Sequence, residues 1–218
     1  LIEDCSQAHG AKIGKKYVGS FGDISIWSFC NDKIISTGGE GAIISVKNNK
    51  IFNKVLSIKD CGKNFDKISK LKNDIGFKWV HDSIGTNMRL TEIQAAIGRY
   101  QLKKLDQWNK KRKFNAHYIW NQCQKIKNVI VPHVPKNFTH AGYRCIIRID
   151  IKKLKTGWSR NRIITKLKKN NINCSVGSCP EIYLEKYFVD NQLMPKKRLI
   201  NAKLVGEQSI AFEINHNQ

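Results

Sequence analysis

The sequence has no run of eighteen consecutive apolar residues, so it holds no candidate membrane-spanning helix. It has no Cys-x-x-Cys pair, and its 7 cysteines are an odd number. Both facts argue against a disulfide framework or a zinc finger, and they suit a reducing, cytoplasmic setting. The first residues, Leu1-Ile2-Glu3-Asp4, carry neither the basic nor the apolar stretch of a secretory signal. They also lack an initiator Met and read as the inside of a strand, so an amino-terminal part is expected upstream. No internal repeat and no low-complexity segment appears. Acidic residues are scarce: 17 Asp and Glu stand against 39 Lys and Arg, a formal charge of +22. Such a charge favours anionic partners in general. The basic residues, however, are spread along the whole chain. The densest clusters, Lys110-Lys111-Arg112-Lys113 and Lys152-Lys153-x-Lys155, have no aromatic stacking motif beside them. A Lys-, Asn- and Ile-rich composition accounts for the charge better than nucleic-acid binding does.

What is present is an ordinary globular composition. The chain has 218 residues, 41% hydrophobic and 26% charged, enough for one large domain or two small ones. Leu1-Ile2 followed by Asp4 reads as the end of a buried strand, where open α/β sheets place ligands. Gly19 to Asp23 is a turn signal, and Ile24 to Phe29 alternates with period two as a strand. A glycine-rich connection leads to a second strand, Ala42 to Val46. Residues 49–59 read as a helix, and 61–87 as a long irregular surface loop. Thr91-Glu92-Ile93-Gln94 is a capping box that opens a long helix to about Gln124. Pro132 and Pro135 break the pattern, and a domain boundary is expected near residue 130. Beyond it, Tyr143–Ile151 reads as a strand, Ser159 as the cap of a helix to Lys169, and Asn173–Ser175 and Ser209–Glu213 as short strands.

The informative region is residues 1–41. Asp4 and Gln7 follow a strand, Ser28 ends the next one, and Lys33 lies five residues later, ahead of Gly38-Gly39-Glu40-Gly41. Taken singly, each has a bland reading: a turn Asp, a solvated Lys, a glycine turn. Together, the segment IEDCSQAHGA…VGSFGDISIWSFCNDKIISTGGEGAII resembles the cofactor core of the DegT/StrS-type sugar aminotransferases. These are pyridoxal-phosphate (PLP) enzymes of the aspartate-aminotransferase fold. The likeness continues through DCGKNFD, GFKWVHDSIGTNMRLTEIQAAIGRYQLKKLDQWN, HAGYRCIIRID, GWSRNRI and GSCPEIYLEKYF, and so covers nearly the whole chain. It is strongest to the subgroup of lipopolysaccharide and sugar biosynthesis.

The resemblance implies an α/β fold: the later part of a PLP-transferase large domain (1–130, mixed sheet flanked by helices) and a small α+β carboxyl-terminal domain (131–218). It implies that Lys33 forms the Schiff base with PLP and then shuttles a proton. It further implies that Asp4 faces the pyridine nitrogen, that Gln7 packs beside the ring, and that Ser28 donates to the phosphate. Asn87 corresponds to a residue that reaches the PLP phosphate of a neighbouring subunit, which makes a homodimer with a shared active site the expected assembly. Arg89 lies where an anionic substrate group is met, and Tyr183, with Cys179, is placed near the substrate pocket. No metal is implied. The implied reaction moves an amino group from an amino acid, glutamate by preference, to a keto-sugar nucleotide, an anionic substrate that also suits the basic charge. Two features of the family are not found in the sequence: an upstream Gly-Thr phosphate cradle and an aromatic stacked on PLP. A fragment is therefore expected, and an inactive remnant or a basic binding protein is the alternative. A sugar dehydratase is disfavoured because such relatives carry His where Lys33 stands.

Overall fold

The computed structural model describes residues 1–71, 75–177 and 179–216. The elements run in chain order as β1 (Ile2–Asp4), β2 (Lys12–Ile13), β3 (Lys16–Tyr17), β4 (Ile24–Ser28), β5 (Ala42–Val46), α1 (Asn49–Lys59), α2 (Phe65–Ser69) and α3 (Glu92–Cys123). They continue as β6 (Val129–Ile130), β7 (Phe138–Thr139), β8 (Arg144–Ile149), α4 (Arg160–Lys169), β9 (Cys174–Val176), α5 (Lys186–Asp190), α6 (Ile200–Gln208) and β10 (Ser209–Glu213). The chain forms two compact units: Leu1–Asp106 with Asn137–Thr139, and Gln107–Lys136 with His140–Gln218. The boundary expected near residue 130 rested on two prolines. Packing divides the chain inside α3 instead, because Arg112, Ala116 and Trp120 are buried in the second unit.

In the first unit β1 pairs parallel with β4, and β4 pairs antiparallel with β5. The turn before β4 is held by Glu3. Its carboxylate accepts the backbone N–H of Gly19 at 2.7 Å and of Phe21 at 2.8 Å, and also that of Gly22. Those N–H groups, Gly22 first, hold the Glu3 carboxyl below its ordinary range. β2, β3 and β7 form a separate ribbon in the order β3-β2-β7. These two-residue strands carry too little periodicity to be read from sequence.

The expected irregular loop over 61–87 is only partly irregular. Asn64 accepts the N–H of Lys67 and so starts α2, and backbone bridges join Asp60 to Asn87 and Lys63 to His81. Residues 72–74 of that expected loop lie outside the described residues. α3 begins at the capping box the sequence contains: Thr91 Oγ1 accepts the Gln94 N–H at 3.3 Å, and Gln94 Oε1 accepts the Thr91 N–H at 3.2 Å.

The second unit is an antiparallel sheet, β6-β8-β10-β9. β8 alternates, sending Cys145, Ile147 and Ile149 inward. They meet Ile210 and Phe212 of β10, Ile164 of α4, and Ala116 and Trp120 of α3. Arg112, Ala116 and Trp120 recur every four residues, one face of a helix. The Trp120 indole N–H donates to the Ile146 carbonyl at 3.0 Å. Arg112 is 7% exposed. Its Nη1 donates to the carbonyls of Ile214 at 2.8 Å and Gly142 at 3.2 Å. A cation among carbonyls ties the helix to one end of the sheet, where β8 begins and β10 finishes, and burial lowers its pKa. Truncating it leaves those carbonyls unpaired. Arg112→Met is therefore expected to destabilise the chain by about 2–3 kcal/mol, the scale of hydrogen bonds to a charged group. Urea unfolding checks this; a midpoint equal to wild type would show that the carbonyls find other donors.

Candidate active site

β1 and β4 run in the same direction, with Asp4 opposite Ile26, so their carboxyl ends open on one edge of the sheet. Asp4 ends β1. Its Oδ1 accepts the Ser6 hydroxyl and, at 3.0 Å, the Ser6 N–H. The Ser6 hydroxyl and N–H, with the nearby Lys33 ammonium, hold the Asp4 carboxyl below its ordinary range. The group stays ionised at neutral pH. Gln7 is exposed, in the turn closed by the Ala8 N–H on the Cys5 carbonyl at 2.9 Å. His9 is buried, its ring 5.9 Å from Phe29, and burial lowers its pKa.

Ser28 ends β4, and its Oγ accepts the Cys30 N–H at 3.3 Å. A turn follows, closed by the Lys33 N–H on the Cys30 carbonyl at 3.0 Å. Lys33 Nζ lies 3.1 Å from Asp32 Oδ1, and the Lys33 side chain is only 15% exposed. Ile34 and Ile35 are buried directly after it. The glycines then act as the pattern suggested. Gly38 takes φ +74°, and a Cβ on Gly41 would lie 2.5 Å from Thr37 Oγ1.

Asn87 and Arg89 are brought together with each other and with Asp60. Asn87 Oδ1 accepts the Arg89 N–H at 3.4 Å. Arg89 Nη1 donates to Asp60 Oδ1, and Lys63 Nζ reaches the same oxygen at 3.1 Å. Lys63 and Arg89 hold the Asp60 carboxyl low. Tyr183 lies in the second unit, in a short 3-10 turn over Ile182–Leu184. Its hydroxyl donates to Glu181 Oε1 at 2.6 Å and accepts the Leu199 N–H at 3.0 Å. Arg198 grips the same Glu181 carboxylate with two nitrogens, at 2.8 and 2.9 Å. Ser178, in the same motif, lies outside the described residues.

The sequence pattern of the DegT/DnrJ/EryC1/StrS aminotransferase family matches residues 1–217. The chain belongs to that family. An aminotransferase from Psychrobacter cryohalolentis, solved by X-ray, is 39% identical with a TM-score of 0.94; the match covers 99% of this chain and 56% of that one. Helicobacter pylori PseC, an aminotransferase involved in the biosynthesis of pseudoaminic acid, is 27% identical with a TM-score of 0.82, over 99% of this chain and 54% of that one. A GDP-perosamine synthase of Escherichia coli O157:H7 is 38% identical over 122 residues, 56% of this chain and 30% of its own. The chain spans about half the length of the curated relatives it matches. The fold is thus the mixed α/β fold of PLP-dependent sugar aminotransferases, over about half of it.

Two residues that contact the candidate side chains, Ser6 and Asp60, escaped sequence reading. Ser6 was legible in principle, since Asp-x-Ser is the spacing at which a carboxylate meets the N–H two residues on. Asp60 was not: it stands 29 residues from Arg89, and only the fold joins them.

The Glu181 network has a pH signature. Arg198 and then the Tyr183 hydroxyl lower the Glu181 carboxyl from 4.5 to about 2. A depressed carboxyl contributes stability that is fully present above the ordinary value and is lost as pH falls through the folded one. Glu181→Gln should therefore lower the melting temperature at neutral pH, and the gap to wild type should close between pH 4.5 and about 2. Melting curves across that range check it. A gap independent of pH would mean that the charge of Glu181 carries none of the effect.

Proposed function

We propose that the protein is a PLP-dependent aminotransferase that passes an amino group from an amino acid, preferentially glutamate, to a keto-sugar nucleotide. The observation that carries this reading is the nearness of Asp4 to Lys33 at the carboxyl ends of β1 and β4, a carboxylate kept ionised on β1 and a largely sheltered amine, in contact with Asp32, in the loop after β4. The residues fit the cofactor. An ionised Asp4 suits a protonated ring nitrogen. Ser28 Oγ accepts the Cys30 N–H, which leaves its own hydrogen for a phosphate oxygen. Bound there, PLP supplies an aldehyde that condenses with amines and a ring that withdraws electrons from the carbon being deprotonated.

The chain's own residues do the rest. Lys33 Nζ is the covalent anchor and, when displaced by substrate, the base that takes the proton from the substrate carbon and returns it. Asp4 keeps the ring nitrogen protonated, and Gln7 packs beside the ring. Asn87 reaches a phosphate across a homodimer interface. Arg89, with Lys63 near it, meets an anionic substrate group in competition with Asp60. We assign Tyr183 a role in contacting the substrate; Glu181 and Arg198 hold its segment in place. The GDP-perosamine synthase and PseC likenesses support a sugar substrate, and the likeness to the lipopolysaccharide biosynthesis protein RfbH of Salmonella typhimurium supports a place in surface polysaccharide or lipopolysaccharide biosynthesis.

Borohydride reduction after incubation with PLP should leave a pyridoxyl label on Lys33, found by peptide mass spectrometry, and Lys33→Ala should lose it. A label on another lysine overturns the assignment. Asp4→Asn keeps the shape and removes the charge. It should cost glutamate-dependent amination about 2–3 kcal/mol of transition-state stabilisation; a near-normal rate would remove Asp4 from the site.

A further inference from the structure

The geometry points to Gln94 and Gln101, both early in α3, as positioning residues for Lys33; this rests on the role proposed for Lys33 above. Residues 29–41 join β4 to β5 without helix or strand. The segment ties to itself through the Phe29 N–H on the Gly41 carbonyl at 2.7 Å and the Thr37 N–H on the Phe29 carbonyl at 3.2 Å. Two further ties come from α3. The Ser36 N–H donates to Gln101 Oε1 at 3.0 Å, and Gln94 Nε2 donates to the Glu40 carbonyl at 2.9 Å. Between them Gly38 brings its backbone onto Ile97, so close that a Cβ there would lie 3.0 Å from Ile97 Cδ1.

Gln94, Ile97 and Gln101 are spaced three and four apart, which is one face of a helix. That face holds the stretch beginning three residues after Lys33. On the other side the Lys33 N–H is fixed to Cys30, and Ile34 and Ile35 are buried in between. The Lys33 backbone is therefore pinned on both sides, and by holding Ser36 and Glu40, α3 fixes the backbone from which the amine reaches Asp32. Gln94 also closes the capping box, since its Oε1 accepts the Thr91 N–H.

The two amides use different atoms toward the loop, and this gives an internal control. Gln101 offers an oxygen, so Gln101→Glu keeps the acceptor and Gln101→Met removes it. Gln94 offers a nitrogen, so Gln94→Glu keeps the cap but loses the donor and sets a carboxylate against the Glu40 carbonyl.

The readout is trace acetylation of lysine amines on the chain without cofactor, scored by mass spectrometry as Lys33 relative to the other lysines, with melting curves as a check of folding. Gln101→Met and Gln94→Glu should each change the relative labelling of Lys33 on the order of fivefold, as one lost hydrogen bond would. Gln101→Glu should stay within about twofold of wild type, the range of a neutral substitution. The idea is overturned if the two Glu variants behave alike, or if folded Gln101→Met leaves Lys33 labelling unchanged. Borohydride trapping of PLP on the wild-type chain separates the two readings. Failure to trap on Lys33 removes the functional reading, while the labelling contrast still tests the helix contacts. Trapping without the contrast removes the positioning role alone.

Discussion

Parallel pairing of β1 with β4 sets the register in which Asp4 lies opposite Ile26, two residues short of Ser28. Parallel strands bring like ends together, so the polar residues that close each strand share one edge. Everything proposed for the site depends on that alignment. A slip of one residue would turn Asp4 to the opposite face of the sheet. The Glu3 carboxylate protects the register from the other end by gathering three N–H groups of the turn before β4.

Carboxylates do much of the organising in a chain that has few of them. Glu3 holds a turn, Asp4 stands beside Ser6, Asp60 takes Lys63 and Arg89 together, and Glu181 takes Arg198 and Tyr183. Each has its pKa lowered by these partners. A carboxylate with several donors is worth more than an exposed ion pair, because its lone pairs are answered by hydrogen bonds as well as by charge. The large positive balance of the chain says little by comparison, since most of its lysines are solvated and screened.

The second unit is built on different physics. Its sheet is antiparallel, its core is Ile, Cys, Phe and Trp, and its one buried cation, among the described residues of that core, is answered by carbonyls instead of acids. The carbonyl dipoles at the ends of β8 and β10 supply the negative potential that Arg112 needs.

The sequence by itself determined the elements whose signals are local. Period-two alternation marked β4, the Thr91–Gln94 box marked the start of α3, and Ser159 marked the cap of α4. The run of motifs from Asp4 to Lys33 marked the family, since a cofactor core keeps its residue types in fixed order along the chain. Tertiary structure alone decided the rest. The two-residue strands β2, β3 and β7 exist because they pair with one another. The division inside α3 depends on where Arg112 and Trp120 are buried, and the partners of Lys33's loop lie some 54 and 65 residues away along the chain. Local spacing fixes which backbone groups a residue can reach within a turn or two. A hydrogen bond across that many residues has no local trace, because the loop-closure entropy it must overcome is repaid by the whole packed unit.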